Sequence, residues 1–409
     1  MQRIAIVTPM LPVPHDQTRG RYIHETARAL ARIADVRVFF CQLGYLPIPG
    51  MRPRSFIAGT VDADFSLPGI DTETFTYPAI PGISRIANAF VESRVLIPRL
   101  RRFRPDVAIG YWIYPDGDAT VRAARALGIP SAIGALGSDI HVRSGTTARQ
   151  TRRAIASAGA LITVSEAMRN TAIADFGADP AKVHTITNGF NSSVFRPLAQ
   201  SIVRSELGID AGARIVVYVG RFVEAKGLRE LIGAFRMMAA TDPAVRLALV
   251  GDGVMREELT DLVQTAGLAE RTFMPGGIPP AEVARWIGAA DVLTLPSWSE
   301  GYPNVVVEAL ACGRPVVATD VGGTSEIVNV SNGLLIPPRD PAALAAALTR
   351  ALDARWDHDA IAAATRRSWD DVASETLSVC EKIIDNNAAA SDVRQPAERA
   401  RNEQWRSPP

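Results

Sequence analysis

The stretch DVLTLPSWSEGYPNVVVEALACGRPVVATD, residues 291–320, decides the fold. DVLTLPS (291–297) is an apolar run of strand length that ends in Pro-Ser. NVVVEALACG (304–313) opens just after a proline and closes on a glycine, the punctuation of a helix. PVVATD (315–320) is a second apolar run. Strand, loop, helix and strand in this order make a β-α-β unit, whose crossover sets the two strands parallel and buries both of their faces.

The same alternation continues in both directions. RIVVYVG (214–220), RLALVGDG (246–253), FMPGG (273–277) and GLLIP (333–337) read as further strands, with helices at LRELIGAFRMMA (228–239) and PAALAAALTRAL (341–352). An independent series precedes them: RIAIVT (3–8), VRVFF (36–40), DVAIGY (106–111), SAIGAL (131–136), ALITVS (160–165) and VHTITNG (183–189). A helix at about 20–33 carries Ile23, Ala27, Leu30 and Ala31 on one face. Residues 44–82, rich in Pro and Gly, show no clear period and read as an insertion or long loop. Two complete sets predict an α/β protein of two doubly wound, Rossmann-like domains, 1–190 and 191–385, followed by a disordered or loosely held tail at 386–409.

Composition excludes several classes. Of 409 residues, 47% are hydrophobic and 21% charged, an ordinary globular mixture and not a coiled coil, fibre or disordered chain. Cys41, Cys312 and Cys380 stand apart, giving neither a disulfide framework nor a Cys-x-x-Cys metal site, and a reducing compartment is expected. No apolar run approaches the roughly 20 residues that cross a bilayer, and the N-terminus does not read as a signal peptide. A cytoplasmic protein is expected. Net charge is +1, but residues 1–190 carry 22 basic and 15 acidic side chains (+7) and residues 191–409 carry 22 and 28 (−6). Halves so different suggest different partners. Only Lys182, Lys226 and Lys382 are lysines among 44 basic residues, a bias that fits a GC-rich genome.

In the opening stretch, Glu300-Gly301 falls in the loop beyond a strand's carboxyl end, where open α/β sheets bind ligands. Glu308 lies within the first two turns of the next helix, so both carboxylates could face one crevice. The N–H groups of Asn304, Val305 and Val306 at that helix start favour an anion. An isolated pair of this kind is more often a loop cap and a solvated helix residue. Here the surroundings match more. Pro296-Ser297, Glu300-Gly301, Glu308-Ala309, Ala311, Gly313, Pro315-Val316-Val317-Ala318, Gly322-Gly323 and Glu326 resemble the Glu-x7-Glu signature of the retaining glycosyltransferases called family four. YVGRFVEAKGLRELIGAF (218–235) resembles that family's Gly-Arg-x4-Lys-Gly segment. TITNGFNSSVFRP (185–197) resembles its interdomain segment, with Asn191 where Asp is usual. VSEAMRN (164–170) and GALGSDIH (134–141) also fit.

The resemblance implies the GT-B architecture, two Rossmann-like domains facing a central cleft, and transfer of a sugar from a nucleoside-diphosphate donor. Glu300 is then expected at the donor sugar, Glu308 on the ribose hydroxyls, Gly301 beside them, and His141 near the reacting sugar. The residues agree with that chemistry. A departing diphosphate gains charge, and without a metal preorganised cations must meet it. Arg221 follows a strand end and Lys226 lies five residues on, a planar fork and a point charge suited to different phosphate oxygens. An exposed turn arginine and a lysine complementing a carboxylate are the plainer readings of each alone. The five histidines (15, 24, 141, 184, 358) are scattered, and Asp62-Ala63-Asp64 sits in the irregular early segment. Neither a metal nor a cofactor is expected.

By the same resemblance the first domain takes the acceptor. Gly20 lies in the loop TRGRYIHE, where Arg19 replaces the first glycine of the usual pair, and its N–H groups are expected near phosphate and acceptor hydroxyl. Asp139 fits a sugar hydroxyl and a turn cap equally well, and the aromatics of YWIYPDG (111–117) suit stacking on a sugar or ordinary core packing. ISRIANAFVESRVLIPRLRRFRP (83–105) sets six arginines against Glu92, a basic amphipathic stretch that suits an anionic membrane face or acceptor, or simply solvent. A glycan, lipid-linked or small-molecule acceptor in polysaccharide or cell-envelope synthesis is expected, with no nucleic-acid partner and possible peripheral membrane attachment. The alternative is a nucleotide-sugar epimerase of the same architecture. A dinucleotide oxidoreductase fits less well, since Arg256 stands where the third glycine after Gly251 and Gly253 belongs.

Overall fold

The computed structural model describes residues 1–14, 16–45, 61–80, 84–137, 139–140 and 145–404, with side chains up to residue 389. Strands β1 (Arg3–Thr8), β2 (Asp35–Tyr45), β3 (Asp71–Ala79), β4 (Val107–Tyr111), β5 (Ser131–Gly134), β6 (Ala160–Thr163) and β7 (Val183–Thr185) form a parallel sheet in the order β3-β2-β1-β4-β5-β6-β7. β1 lies between β2 and β4, with Ile4 level with Val36 and Val107. Ile4, Ala5, Ile6 and Val7 are fully buried, as strands covered on both faces must be.

A second parallel sheet follows. β8 (Arg214–Val219), β9 (Val245–Val250), β10 (Thr272–Gly276), β11 (Val292–Leu295), β12 (Val316–Thr319) and β13 (Gly333–Ile336) run in the order β10-β9-β8-β11-β12-β13. Val216 of β8 is level with Leu247 on one side and Val292 on the other. Each sheet reverses its strand order once, between β1 and β4 and between β8 and β11. Such a reversal splays the flanking loops apart and opens a crevice at the carboxyl ends. The two doubly wound α/β sets predicted from sequence are both present.

Three differences from the sequence reading have physical causes. β2 runs on to Tyr45, and β3 falls inside the stretch read as a loop. DTETFTYPA does alternate, with Phe75, Tyr77 and Ala79 buried while Thr76 and Pro78 face out. As an edge strand paired only with β2, it tolerates a proline without an N–H. Next, the chain divides into a first unit (Met1–Val164, Met168–Thr187 and the chain from Trp369) and a second (Ser165–Ala167 and Asn188–Ser368). The second set therefore ends at Ser368, not 385. Val372, Ala373, Thr376, Val379, Cys380 and Ile383 form a buried stripe at helical spacing, and its apolar members complete the core around Ile4, Ile6, Ile23 and Leu30. Local periodicity reveals such a stripe but not which sheet it covers. Finally, the helix Trp369–Gln404 carries regular backbone through most of the expected tail, and Asn387 Nδ2 donates to the carbonyl of Gly128 at 3.3 Å. Residues 405–409 lie outside the described ones. Among the described residues no helix is long and apolar enough to cross a membrane.

Candidate active site

In the second unit, the loops after β8 and β11 flank the strand-order reversal. β8 delivers Gly220-Arg221, and a single turn at Glu224–Lys226 leads through Gly227 into the helix Leu228–Thr241. β11 delivers Pro296 to Gly301, and the helix Asn304–Ala311 follows. The two loops are tied to each other. The Trp298 N–H donates to the carbonyl of Ala225 at 2.8 Å, and its indole N–H to Glu230 Oε1 at 3.1 Å. Gly227 has φ 65°, and a Cβ there would lie 2.0 Å from the carbonyl oxygen of Pro296. Only glycine combines that backbone with that approach.

This juxtaposition places Lys226 Nζ 2.5 Å from Glu300 Oε1. Their side chains keep 20% and 10% of their exposure, so the pair is largely withdrawn from water yet reachable from the crevice. Arg221 is exposed beside it, and its carbonyl accepts from the buried Tyr218 hydroxyl at 2.9 Å. Burial, and then the Glu300 charge, push the Tyr218 phenol far above its ordinary pKa, keeping it a donor. From below, Thr319 Oγ1 donates to the Ser297 carbonyl at 2.5 Å and the Gly323 N–H to the Gly301 carbonyl at 3.2 Å. Gly322 presses so closely that a Cβ would meet the Glu300 carbonyl oxygen at 1.8 Å. The Glu300 loop is thus gripped on both sides.

The helix Asn304–Ala311 has no side-chain cap. Its Val306 N–H is taken by the Pro303 carbonyl at 3.0 Å, which removes one of the three donors read from sequence. Among the described residues the Asn304 and Val305 N–H groups have no protein acceptor, so they remain open to an anion. The Asn304 side chain is held by Asn188 Nδ2 at 2.9 Å. Glu308 sits one turn on, half-buried, and its charge joins burial in pushing the Cys312 thiol up to about 12. Trp298 was not singled out from sequence, and Asn188, which opens the Asn-Gly pair of the 185–197 segment, was given no partner there. Asn188 is separated from Asn304 by 116 positions, and no spacing rule links them.

In the first unit, Gly20 opens the helix Arg21–Leu30 with φ 58°, against the Met10 carbonyl. Arg19 turns inward instead of toward the loop's outer face. Its Nη2 donates to the Pro9 carbonyl at 2.6 Å and its guanidinium lies over Phe40 at 5.9 Å. Burial lowers its pKa. Asp139 accepts from the N–H groups of Ile113, Leu136 and Gly137 at 3.1, 2.9 and 2.9 Å, so its carboxylate caps a turn. Burial nonetheless raises its pKa, the three hydrogen bonds opposing. Tyr111 and Tyr114 are buried, and the Tyr114 hydroxyl donates to the carbonyls of Arg85 and Ile86 at 2.6 and 2.8 Å, so both serve packing. His141 lies outside the described residues. Asn191 holds a turn, accepting from the Ser193 N–H at 3.0 Å and hydroxyl at 2.6 Å. Asp62 and Asp64 are exposed.

Comparison with known proteins gives matches on both units. Residues 200–368 match the family model of glycosyl transferases group 1, and residues 19–189 the glycosyl transferase 4-like domain. A glycosyltransferase of Bacillus subtilis named for teichuronic acid biosynthesis is 32% identical over 286 residues, 67% of this chain and 69% of that protein. A D-inositol 3-phosphate glycosyltransferase of Segniliparus rotundus is 32% identical over 225 residues, 53% of this chain and 50% of its own length. The chain spans about half of that second relative. Among solved structures, Anabaena HepE in complex with UDP and glucose superposes with a TM-score of 0.68 at 20% identity, covering 95% of this chain and all (100%) of that one.

Proposed function

Since the chain belongs to the group 1 glycosyl transferases, we propose that it moves a sugar from a nucleoside-diphosphate donor to an acceptor with retention at the anomeric carbon, and that the crevice between β8 and β11 holds the donor. The observation that carries this reading is the Lys226–Glu300 pair at the strand-order reversal, with Arg221 exposed beside it. Arg221 and Lys226 meet the charge that grows on the departing diphosphate. The open N–H groups of Asn304 and Val305 add partial positive charge at the same end of the sheet. Glu300, fixed by Lys226, contacts the donor sugar near the reacting carbon, with Gly301 lining the approach. Glu308 takes the ribose hydroxyls. His141 and Gly20 keep the roles that the family resemblance implies, His141 at the reacting sugar and Gly20 at phosphate and acceptor hydroxyl. With two cations set for the leaving group, transfer calls for neither metal nor cofactor.

The two relatives are named for an acid and a phosphate, teichuronic acid and D-inositol 3-phosphate, and both names favour an anionic acceptor. The +7 charge of residues 1–190 suits an acceptor of that kind, a glycan or lipid-linked precursor in cell-envelope synthesis at the cytoplasmic membrane face. Incubation with UDP-, GDP- and ADP-sugars and a panel of anionic acceptors tests the reading. Nucleoside diphosphate release with an unchanged anomeric configuration in the product, unaffected by added Mg²⁺ or brief EDTA treatment, is the expected result. Epimerised sugar without transfer, or an inverted product, would overturn it.

A further inference from the structure

Behind the first unit's sheet, four polar side chains converge where the core should be apolar. They are Cys41 of β2, Tyr77 of β3, Glu92 of the helix Asn88–Phe103 and Asp116 of the segment Ile113–Gly117. Each is at most 1% exposed, and their neighbours include Phe39, Phe75, Leu96 and Leu100. The ligand atoms of Cys41, Glu92 and Asp116 all lie within 4.8 Å of one another. The Cys41 thiol donates to Asp116 Oδ1 at 3.0 Å. Among the described residues, both Glu92 carboxyl oxygens, Asp116 Oδ2 and the Tyr77 hydroxyl have no hydrogen-bond partner of ordinary geometry. Asp118, also near Glu92, is already paired with Arg122 at 3.0 Å.

Two carboxyl groups sealed in an apolar layer need positive charge, as protons or as an ion. The unsatisfied oxygens favour the ion. A shared proton draws its oxygens to about 2.5–2.7 Å, and a neutral phenol beside a carboxylate donates to it. Here the Tyr77 hydroxyl and the Cys41 thiol stand close to Glu92, yet among the described residues neither makes a hydrogen bond of ordinary geometry to it. Around a small cation with oxygens at roughly 2.0–2.2 Å and sulfur at about 2.3 Å, ligand atoms stand roughly 3.3–3.8 Å apart, inside the 4.8 Å spread of these three, and the 3.0 Å Cys41–Asp116 hydrogen bond gives way when the thiol loses its proton. From this we infer that Cys41, Glu92 and Asp116 form a structural divalent-metal site in the first unit, with the Tyr77 hydroxyl directed at it. The thiol excludes magnesium and calcium and selects zinc-like ions. On binding, Cys41 gives its proton to solvent and its sulfur to the ion. The ion then ties β2, β3, the helix Asn88–Phe103 and the Ile113–Gly117 segment together. It takes no part in sugar transfer. Because the site is closed, the ion enters as the chain folds, and brief EDTA treatment of folded enzyme leaves it in place.

Elemental analysis of the full untagged chain tests this, with about one zinc per chain expected, falling at least tenfold in Glu92→Gln and Cys41→Ser. Refolding with Co²⁺ should give a thiolate-to-cobalt absorption band that is present in Tyr77→Phe and missing in Cys41→Ser. If either ligand variant fails to fold, the wild-type metal content and cobalt spectrum decide alone. Folded wild-type chain without stoichiometric metal, and without a cobalt band after refolding, overturns the site and leaves a protonated carboxyl pair.

Discussion

Lys226 and Glu300 share one short hydrogen bond, so neither can be removed without releasing the other. Replacing Lys226 or Arg221 by Ala should lower kcat/KM by about 2–4 kcal/mol, the cost of losing a group aimed at developing charge. Lys226→Ala also frees Glu300, so the Lys226→Ala/Glu300→Ala double variant should lose clearly less than the sum of the single variants. Steady-state kinetics on the four proteins of this cycle measure it, and strict additivity would refute a working pair. Glu308→Ala should act differently, raising the donor KM more than it lowers kcat, whereas Glu300→Ala should mainly lower kcat. Equal, small effects from both would remove the division of roles. At this scale the sequence was informative for charged residues in short loops, where spacing and glycines mark the turn that carries Arg221 and Lys226. It gave neither the partner of Asn188 nor the inward turn of Arg19, because both depend on groups supplied by other parts of the chain.

Loops at a strand-order reversal are useful only if their separation is fixed, and here backbone contact fixes it. Gly227→Ala should push the Lys226 turn off Pro296, since the added Cβ meets a carbonyl at 2.0 Å with φ at 65°. The expected outcome is a loss of about 1–3 kcal/mol in stability, together with a fall in kcat of at least about tenfold. Gly208→Ala is the control: φ is 67° but nothing lies within 4 Å of the new Cβ, so stability should fall modestly and kcat not at all. Thermal unfolding and turnover of the two variants separate the close approach from the backbone strain. If both behave alike, the contact with Pro296 has no part in the site. The strands of both sheets were legible because continuous apolar runs leave little other choice. β3 was not, since its alternation is carried by threonines beside a proline, and neither was the destination of the Trp369–Gln404 helix, whose stripe fits either sheet.

Across the whole chain, charge is divided between the two sequence halves, and the first half's helix Asn88–Phe103 shows how much of it is available to a surface. Arg99 and Arg102 both fold back on Glu73, at 3.2 and 2.9 Å, and Arg99 also covers Phe75 at 4.9 Å. They are engaged with the sheet edge. Arg94 and Arg101 are exposed, Arg94 lies over Phe90 at 5.1 Å, and Ile86 and Phe90 keep 56% and 51% of their exposure. An apolar pair beside free arginines suits the boundary of an anionic bilayer, where each nearby arginine contributes about 1 kcal/mol and the attraction fades within a Debye length. The protein should therefore sediment with vesicles containing phosphatidylglycerol at low salt, and leave them near ~0.5 M salt. Neutral vesicles should not retain it. Arg94→Ser/Arg101→Ser and Phe90→Ser should each weaken binding severalfold, while Arg99→Ser/Arg102→Ser should change it little. Donor-induced thermal stabilisation, which on the proposed reading reports the second unit's crevice, should be the same in all of these variants. Equal weakening by both arginine pairs would mean that diffuse positive charge attracts the membrane. No sedimentation with anionic vesicles at low salt would mean that this helix faces only water.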